Sequence, residues 1–355
     1  MKKKIRILIV DDSALVRDIL SEHFSKDPEL EVVGTAADPY QARDILVIEK
    51  PDVMTLDIDM PRMDGITFLK RFMRVIPTPT IIVSSLTEKN KRLTMNALEA
   101  GAVDVVSKPK SGLVDSLPLM MTDLIRKVKM AATVNISKIQ RNSGENIQKP
   151  DNLGMQPLDK FTDRVIAIGS STGGTEALAR ILPVFPAFCP GIVIVQHMPA
   201  DYTASLADRL DRLSQMTVKE AQNGDRVITG QILIAPGGKQ HMKVQRYGGQ
   251  YRINLVDGDP VSSHRPSVDV LFQSVAKAAG KNAVAALLTG MGKDGAKGLL
   301  EIRHAGGRTF VQDERTSVVW GMPKVAWQMN AAEAMVSLEK IPRTIIKAIK
   351  QSMDN

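Results

Sequence analysis

Residues 165–178 read VIAIGSSTGGTEAL and hold the pattern on which the fold class depends. Four apolar residues, Val165–Ile168, run into a turn rich in glycine and serine, and Thr175–Leu178 has the composition of a helix start. Strands that alternate with helices form βαβ units and a parallel sheet. Later apolar runs repeat the pattern at Ile192–Val195, Val227–Ile234 and Ala283–Leu288. We therefore predict that this half of the chain is a doubly wound α/β domain with a mainly parallel sheet.

The first 125 residues alternate in the same way. Short β-branched runs predict strands, and amphipathic stretches such as Ala14–Phe24 and Gly65–Arg74 predict helices between them. The predicted strands are Ile5–Val10, Val53–Leu56, Thr80–Val83 and Val103–Val106. We expect a second doubly wound sheet here, with the working residues at the carboxyl ends of its strands.

A polar segment separates the two alternating regions. It includes TVNISKIQRNSGENIQKPDNLGMQPLDK, which is rich in Asn, Gln, Gly and Pro and has no sustained periodicity. This composition is typical of an interdomain linker. We predict a first domain over residues 1–125, a linker over 126–160 and a second domain over 161–350.

Composition and charge limit the classes of protein. No apolar run approaches the roughly 18 residues of a membrane span, and the N-terminus lacks the pattern of a secretory signal. The single cysteine, Cys189, is typical of a reducing compartment, so we expect a cytoplasmic protein without membrane insertion. Residues 126–355 hold 30 Lys or Arg against 20 Asp or Glu, which indicates either an ordinary solvated surface or an anionic partner. Aromatic residues at 4% and the absence of a compact basic cluster argue against nucleic acid.

Acidic residues follow two of the strands in the first half. Asp11 and Asp12 come directly after the strand Ile5–Val10, and Asp57 comes directly after the strand Val53–Leu56. Because the carboxyl ends of parallel strands meet at one edge, the three carboxylates converge and favour a cation such as Mg²⁺ among them. Ser84 and Lys108 end later strands, where a hydroxyl and an ammonium would complement phosphoryl oxygens. For any single aspartate, a helix cap or a solvated loop is the commoner role.

These positions, with LDIDMPRMDG at residues 56–65 and a Lys-Pro pair after the last strand, resemble the response-regulator receiver domain over about residues 4–125. The resemblance implies a flavodoxin-like fold with a five-stranded parallel sheet. It makes Asp57 the phosphoacceptor, with a histidine kinase as the phosphodonor, and Asp11, Asp12 and Asp57 the ligands of Mg²⁺. It gives Lys108 the contact to the phosphoryl group and Ser84 the switching hydroxyl.

Three strand ends in the second half offer a hydroxyl, an imidazole and a carboxylate. Ser171 lies in the glycine turn, His197 lies in QHMP, and Asp294 lies in TGMGKDG. Taken alone, the turn could equally bind a phosphate, and His197 and Asp294 would be ordinary structural residues. Together they provide what nucleophilic acyl transfer requires, a nucleophile, a base and a group that orients the base. The chain order Ser–His–Asp differs from the Ser–Asp–His of α/β-hydrolases, so that fold is not implied.

The motifs of this half resemble the catalytic domain of the chemotaxis receptor glutamate methylesterase family over about residues 162–350; they are GSSTGGTEAL, QHMP, HRPSVDVLF and LTGMGKDGAKG. The resemblance implies that Ser171 is the nucleophile, His197 the general base and Asp294 the orienting acid. It implies that Thr172 and Met291 support the oxyanion. The expected activity is hydrolysis of glutamyl methyl esters, and deamidation of specific glutamines, on methyl-accepting chemotaxis receptors, with no cofactor for the esterase.

Two residues leave alternatives open. Ser170 stands where the family pattern leads us to expect alanine, so it is an alternative nucleophile, although Ser171 holds the motif position before Thr172. His264 lies in a loop that the resemblance places near the site, in a position to contact substrate.

We therefore predict a phosphorylation-regulated protein-glutamate methylesterase in which a receiver precedes the catalytic domain. One alternative is a DNA-binding response regulator, but that class carries a helix-turn-helix output rather than a second βα region. The other is a non-enzymatic response regulator whose second domain only docks receptors. The complete set of serine, histidine and aspartate argues against it.

Overall fold

The structure is a computed structural model that describes residues 3–60, 63–85, 87–109, 113–134 and 163–351. The chain divides into two compact units, Met1–Gly144 and Glu145–Asn355, and each is described by itself. Most of the predicted linker, residues 135–160, lies outside the described residues. Residues 126–131, which the prediction gave to the linker, belong to the last helix of the first unit, Leu113–Ala131. The domain limits at 125 and 160 stay predictions.

The first unit is built on a five-stranded parallel sheet. Its strands are β1 (Ile5–Val10), β2 (Leu30–Ala36), β3 (Val53–Leu56), β4 (Thr80–Ser84) and β5 (Asp104–Ser107). Its helices are α1 (Ala14–Ser25), α2 (Pro39–Glu49), α3 (Gly65–Phe72), α4 (Glu88–Glu99) and α5 (Leu113–Ala131). The strand order is β2-β1-β3-β4-β5, with every neighbouring pair parallel, which confirms the predicted flavodoxin-like sheet.

Burial and helix caps explain these elements. Every residue of β3 is buried, as expected for a central strand covered on both faces. Ser13, Asp38 and Asp64 accept backbone N–H bonds as the N-caps of α1, α2 and α3. The strand β2 escaped the sequence prediction because it is a half-exposed edge strand whose apolar run is interrupted by Gly34.

The second unit contains a seven-stranded parallel sheet and a separate hairpin. Its strands are β6 (Val165–Ser170), β7 (Ile192–Gln196), β8 (Thr217–Glu220), β9 (Gln231–Ile234), β10 (Gln240–Tyr247), β11 (Gln250–Asp257), β12 (Ala283–Leu287), β13 (Arg308–Gln312) and β14 (Ala334–Val336). Its helices are α6 (Gly174–Ile181), α7 (Thr203–Leu213), α8 (Val268–Ala279), α9 (Ala296–His304), α10 (Met322–Gln328) and α11 (Ile341–Gln351). The sheet order is β14-β13-β12-β6-β7-β9-β8, and all of its pairs are parallel.

Helices cover both faces of this sheet. Val165 and Ala167 of β6 belong to one apolar cluster with buried residues of α8, α9 and α10. Ile166 and Ile168 are equally buried but point to the opposite face, because successive strand residues alternate. The domain is therefore doubly wound, as the sequence predicted.

An antiparallel hairpin, β10–β11, packs against this core through Met242, Val244 and Tyr251. Its turn is Gly248-Gly249, whose φ angles of 52° and 83° suit the tight two-residue turn of a hairpin. The hairpin was not predicted from the sequence. The predicted strand Val227–Ile234 is also too long at its start, since β9 begins at Gln231. Val227 bonds to Tyr251 of the hairpin rather than to the large sheet, and a turn at Gly230 (φ 81°) precedes β9.

Within the described ranges, none of the helices combines the length and the apolar character that crossing a bilayer requires.

Candidate active site

The candidate site of the second unit lies at the carboxyl ends of β6, β7 and β12. Ser171 directly follows β6, His197 directly follows β7, and Asp294 lies in the loop after β12. The chain winds outward from β6 through β7 and later returns to β12 on its other side, so the strand order reverses at β6. Crevices at such reversal points are where open α/β sheets bind ligands.

Close backbone packing holds the Ser171 turn. The Ser171 amide donates to the Thr289 carbonyl (3.0 Å), and the Ser171 carbonyl accepts from the Gly174 amide (2.7 Å). A Cβ at Gly290 would lie 2.7 Å from the Ser171 Cβ, so only glycine allows the β12 loop this close. Ser171 therefore sits between the N-terminus of α6 and the loop that carries Asp294.

His197 and Asp294 form a direct pair. The His197 Nε2 lies 2.7 Å from the Asp294 Oδ2, and both side chains are buried. An ionised carboxylate only accepts hydrogen bonds, so Nε2 carries a proton, and in the neutral form of the ring Nδ1 presents a lone pair. His197 Nδ1 is buried and has no hydrogen-bond partner among the described residues, and no hydrogen bond joins it to the Ser171 hydroxyl. One ring nitrogen is thus left available to accept a proton.

The N-terminus of α8 surrounds the Asp294 carboxylate. Asp294 accepts bonds from the Ser267 hydroxyl (2.7 Å) and from the amides of Val268 (2.7 Å) and Asp269 (3.1 Å). Burial acts to raise the pKa of Asp294, but the hydrogen bond and charge of His197 and the bonds from Ser267 and Val268 outweigh it and hold the pKa below its ordinary value. Asp294 is therefore fixed as an anion.

A second buried carboxylate, Asp269, binds the N-terminus of α9 as Asp294 binds the N-terminus of α8. Asp269 belongs to the first turn of α8 and accepts the Gly298 amide (2.8 Å) in the first turn of α9. Asp294, which precedes α9, caps α8 in return. Burial, with the neighbouring charge of Asp294, raises the pKa of Asp269 to about 6, against the hydrogen bond from Gly298. Sequence reasoning gave Asp269 no role, although an acid in a first helical turn after a serine N-cap was a usable signal.

The Gln196 side chain ties the serine turn to the histidine. Its amide donates to the carbonyls of Ser171 (2.8 Å) and His197 (2.9 Å), and its Oε1 accepts the Ser170 hydroxyl (2.7 Å). Ser170 is completely buried in this contact. The structure thus gives Ser170 a packing contact, which supports Ser171 as the nucleophile of the two.

Thr172 follows Ser171 in the chain, and Met291 follows Gly290 in the β12 loop that packs against Ser171. Thr172 is buried, and its carbonyl accepts the Thr289 hydroxyl (3.0 Å), which fixes the turn against the β12 loop. Met291 lies in that loop between Gly290 and Gly292. The structure brings both predicted support residues to the same edge of the sheet as Ser171.

His264 stacks on His197. The two ring centroids are 3.7 Å apart and the planes differ by 7°, while the His264 Nδ1 bonds to the Ser262 carbonyl (2.7 Å). The loop that carries His264 therefore reaches the site, as the sequence analysis expected, and the contact that the structure shows is with the face of the histidine. Whether His264 also touches substrate stays a prediction.

The first unit gathers its acidic residues at the carboxyl ends of β1 and β3. Single carboxylate oxygens of Asp11, Asp12 and Asp57 lie within 4.8 Å of one another. The Lys108 ammonium contacts Asp57 Oδ2 (2.6 Å) and Asp11 Oδ2 (2.7 Å). Burial acts to lower the pKa of Lys108, but the charges of Asp57 and Asp11 outweigh it and raise that pKa. Burial raises the pKa of Asp11 although Lys108 acts in the opposite direction.

The Ser84 side chain is buried at the end of β4, near the base of this cluster. Its hydroxyl donates to the Ser85 carbonyl (3.3 Å), and its carbonyl accepts the Lys108 amide (2.8 Å). The structure therefore links Ser84 to Lys108 through the backbone, while its hydroxyl bonds outside the acidic group.

Comparisons with known proteins place each unit in a family. Residues 7–116 match the response regulator receiver domain family, and residues 166–345 match the CheB methylesterase family. The crystal structure of the CheB methylesterase catalytic domain of Thermotoga maritima is 40% identical with a TM-score of 0.51, and covers 52% of this chain and 97% of that chain.

Full-length relatives carry one name. The protein-glutamate methylesterase/protein-glutamine glutaminase of Syntrophotalea carbinolica is 52% identical over 351 residues, which is 99% of each chain. The protein of the same name from Sulfurimonas denitrificans is 49% identical over 98% of this chain and 99% of its own. The chain therefore belongs to the CheB family of protein-glutamate methylesterases, with a response-regulator receiver domain ahead of the catalytic domain.

Proposed function

We propose that the protein hydrolyses glutamyl methyl esters, and deamidates specific glutamines, on methyl-accepting chemotaxis receptors, with Ser171 as the nucleophile. The observation that carries the proposal is the buried His197–Asp294 pair at 2.7 Å, at the strand ends where the Ser171 turn also lies. The names of the full-length relatives supply the substrate class. A cytoplasmic location belongs to the same proposal, since Cys189 is a buried free thiol.

In the proposed reaction the Ser171 oxygen attacks the side-chain carbonyl carbon of the glutamyl ester, and His197 Nδ1 takes the hydroxyl proton. Asp294 orients the ring and stabilises the imidazolium. His197 then gives the proton to the leaving oxygen, the carbon–oxygen bond breaks, and methanol departs from an acyl-enzyme. Water then attacks the acyl carbon while His197 takes its proton. His197 returns a proton to the Ser171 oxygen as the carbon–oxygen bond to serine breaks, and glutamate is released. With a glutamine substrate the leaving group is ammonia.

Thr172 and Met291 are proposed to stabilise the oxyanion through their backbone N–H groups. Both residues follow glycine-rich strand ends on either side of Ser171, where backbone amides can point at one oxygen. The α6 N-terminus adds a favourable dipole.

The receiver is proposed to control this activity through phosphorylation of Asp57 by a histidine kinase. The convergent oxygens of Asp11, Asp12 and Asp57 fit the oxygen ligands that Mg²⁺ prefers. A bound Mg²⁺ would neutralise phosphoryl charge. Lys108, already paired with Asp57, would contact the phosphoryl group, and Ser84 would turn its hydroxyl toward it.

The test is methanol release from esterified receptors in membranes, with phosphodonor and Mg²⁺. We expect Ser171→Ala to lower the rate by roughly 10⁴-fold or more, because the triad acts as a unit, and Ser171→Ala/His197→Ala to be scarcely worse. The matched control Ser170→Ala removes the bond to Gln196 and should stay within about tenfold of the parent. Retained activity in Ser171→Ala with lost activity in Ser170→Ala would move the nucleophile to Ser170. Receptor binding without methanol release by the parent would support a docking protein instead.

A further inference from the structure

A concave basic surface lies between β10 and α8 in the second unit. We call it the basic groove; its volume is about 620 Å³, and its polar lining includes Lys243, Gln245, Arg246, Gln273 and Lys277. It is separate from the Ser171 turn and takes no part in the reaction described above.

The two elements that line the basic groove begin near Asp294. Ser267, whose hydroxyl holds Asp294, donates its amide to His241 Nδ1 of β10 (3.1 Å). Farther along, the Val244 amide donates to the Ser274 hydroxyl (2.9 Å). From His241 to Val244 the strand advances about 10 Å, and from Ser267 to Ser274 the helix advances about the same distance. Because both ends of these two stretches are hydrogen-bonded to each other, β10 and α8 run side by side away from Asp294. Along the α8 axis the lining from Val270 to Ala278 lies about 5 to 16 Å from Ser267.

The positive charge of the basic groove is only partly compensated by nearby carboxylates. Its lining contains Lys243, Arg246 and Lys277 and no carboxylate. Among the described residues, neither lysine has an ion-pair partner, and Arg246 has only Asp163 at 3.9 Å. Three cations on one concave surface attract anions and raise their local concentration.

Resting on the proposed function, we propose that the basic groove binds acidic side chains of the substrate protein that neighbour the ester held at Ser171. Ester hydrolysis and glutamine deamidation each create a glutamate. On a helical substrate, glutamates one to three turns from the ester are spread over about 5 to 16 Å along the substrate axis, and the lining extends over a similar length along α8, counted from Ser267 beside Asp294. A segment that has already reacted nearby would therefore bind more tightly than one that has not.

The test compares two substrates on the full-length protein with phosphodonor and Mg²⁺ present. One is a soluble, methyl-esterified cytoplasmic fragment of a receptor, and the other is p-nitrophenyl acetate, which offers no acidic neighbours. The variant is Lys243→Gln/Lys277→Glu. The matched control is Lys347→Glu, an exposed lysine on α11, which lies outside the lining.

We expect the double variant to raise KM for the receptor fragment about tenfold, with kcat and p-nitrophenyl acetate hydrolysis unchanged. Its KM should also depend less on NaCl concentration than that of the parent. An unchanged KM with active hydrolysis of both substrates would overturn the groove proposal alone, as would an equal rise in Lys347→Glu. A parent that hydrolyses p-nitrophenyl acetate but not the esterified fragment would overturn the proposed function, and the groove with it.

Discussion

At the scale of single residues, His197 bonds to its aspartate through the ring nitrogen opposite to the one that serine proteases use. There Nδ1 faces the aspartate and Nε2 faces the serine; here Nε2 bonds to Asp294, and Nδ1 is the nitrogen that we propose as the base. Either imidazole nitrogen can transfer a proton, so the chemistry survives this difference. Three hydrogen bonds from the α8 N-terminus hold the Asp294 carboxylate in place for this contact.

The pKa of Asp269 gives the first prediction at this scale. Its value of about 6 in the folded chain lies above the ordinary 3.8. As pH rises through that interval, the unfolded chain loses its proton before the folded one, so folding stability falls, by up to about 3 kcal/mol. Asp269→Asn stays neutral and keeps an acceptor for the Gly298 amide. Its stability relative to the parent should therefore rise between pH 4.5 and 7.5.

Urea unfolding at the two pH values measures this difference. Tryptophan fluorescence reports the second unit alone, because both tryptophans, Trp320 and Trp327, belong to it. Asp208→Asn, which removes the charge of an exposed aspartate on α7, is the control and should show no comparable change. A relative stability of Asp269→Asn that is the same at both pH values would show that Asp269 is ionised throughout.

At the scale of elements, Gly290 couples the β12 loop to the serine turn and gives a second prediction. A Cβ there would lie 2.3 Å from Met322 Sδ and 2.7 Å from Ser171 Cβ, so Gly290→Ala must displace Ser171, the proposed nucleophile, or Met322 of α10. A displacement of this size should lower kcat by roughly 10²-fold, with a smaller change in KM. Gly258→Ala is the control, since its nearest neighbour would be His241 at 3.3 Å. Equal kcat in both variants would mean that the loop yields without moving Ser171.

The elements also show what the sequence could predict. Continuous apolar strands such as Ile5–Val10 and Val53–Leu56 coincide with β1 and β3, because central parallel strands are buried on both faces. The hairpin was missed because its half-exposed strands carry many polar residues, although Gly248-Gly249 was a turn signal. Motif positions placed Ser171, His197 and Asp294 at one sheet edge. The local pattern could have marked Ser267 and Asp269 as a helix N-terminus, but their contacts with Asp294 and Gly298, and those of Gln196 with the serine turn, join residues far apart in the chain.

At the scale of the whole molecule, one chain joins an acidic cluster paired with Lys108 to a serine site on a separate sheet. The charge is divided unevenly as well: residues 1–125 hold 17 Lys or Arg against 19 Asp or Glu, while the excess of positive charge lies in the remainder. A basic catalytic half fits an anionic protein substrate. Because the receiver is near neutral, the proposed phosphorylation of Asp57 would be a large local change in its charge.

That division predicts how phosphorylation acts. A polar linker, predicted over residues 126–160, lets a receiver restrain a catalytic domain or release it. Phosphorylation shifts such an equilibrium only if the two states differ in contacts that the phosphoryl group alters. We expect a fragment that begins at Leu158 to release methanol from esterified receptors without phosphodonor, and full-length protein to need phosphodonor and Mg²⁺. Full-length Asp57→Asn is the control and should stay at the basal rate under both conditions. A fragment no faster than the unphosphorylated full-length protein would contradict restraint, and the receiver would then have to activate by a contact of its own or by binding the receptor.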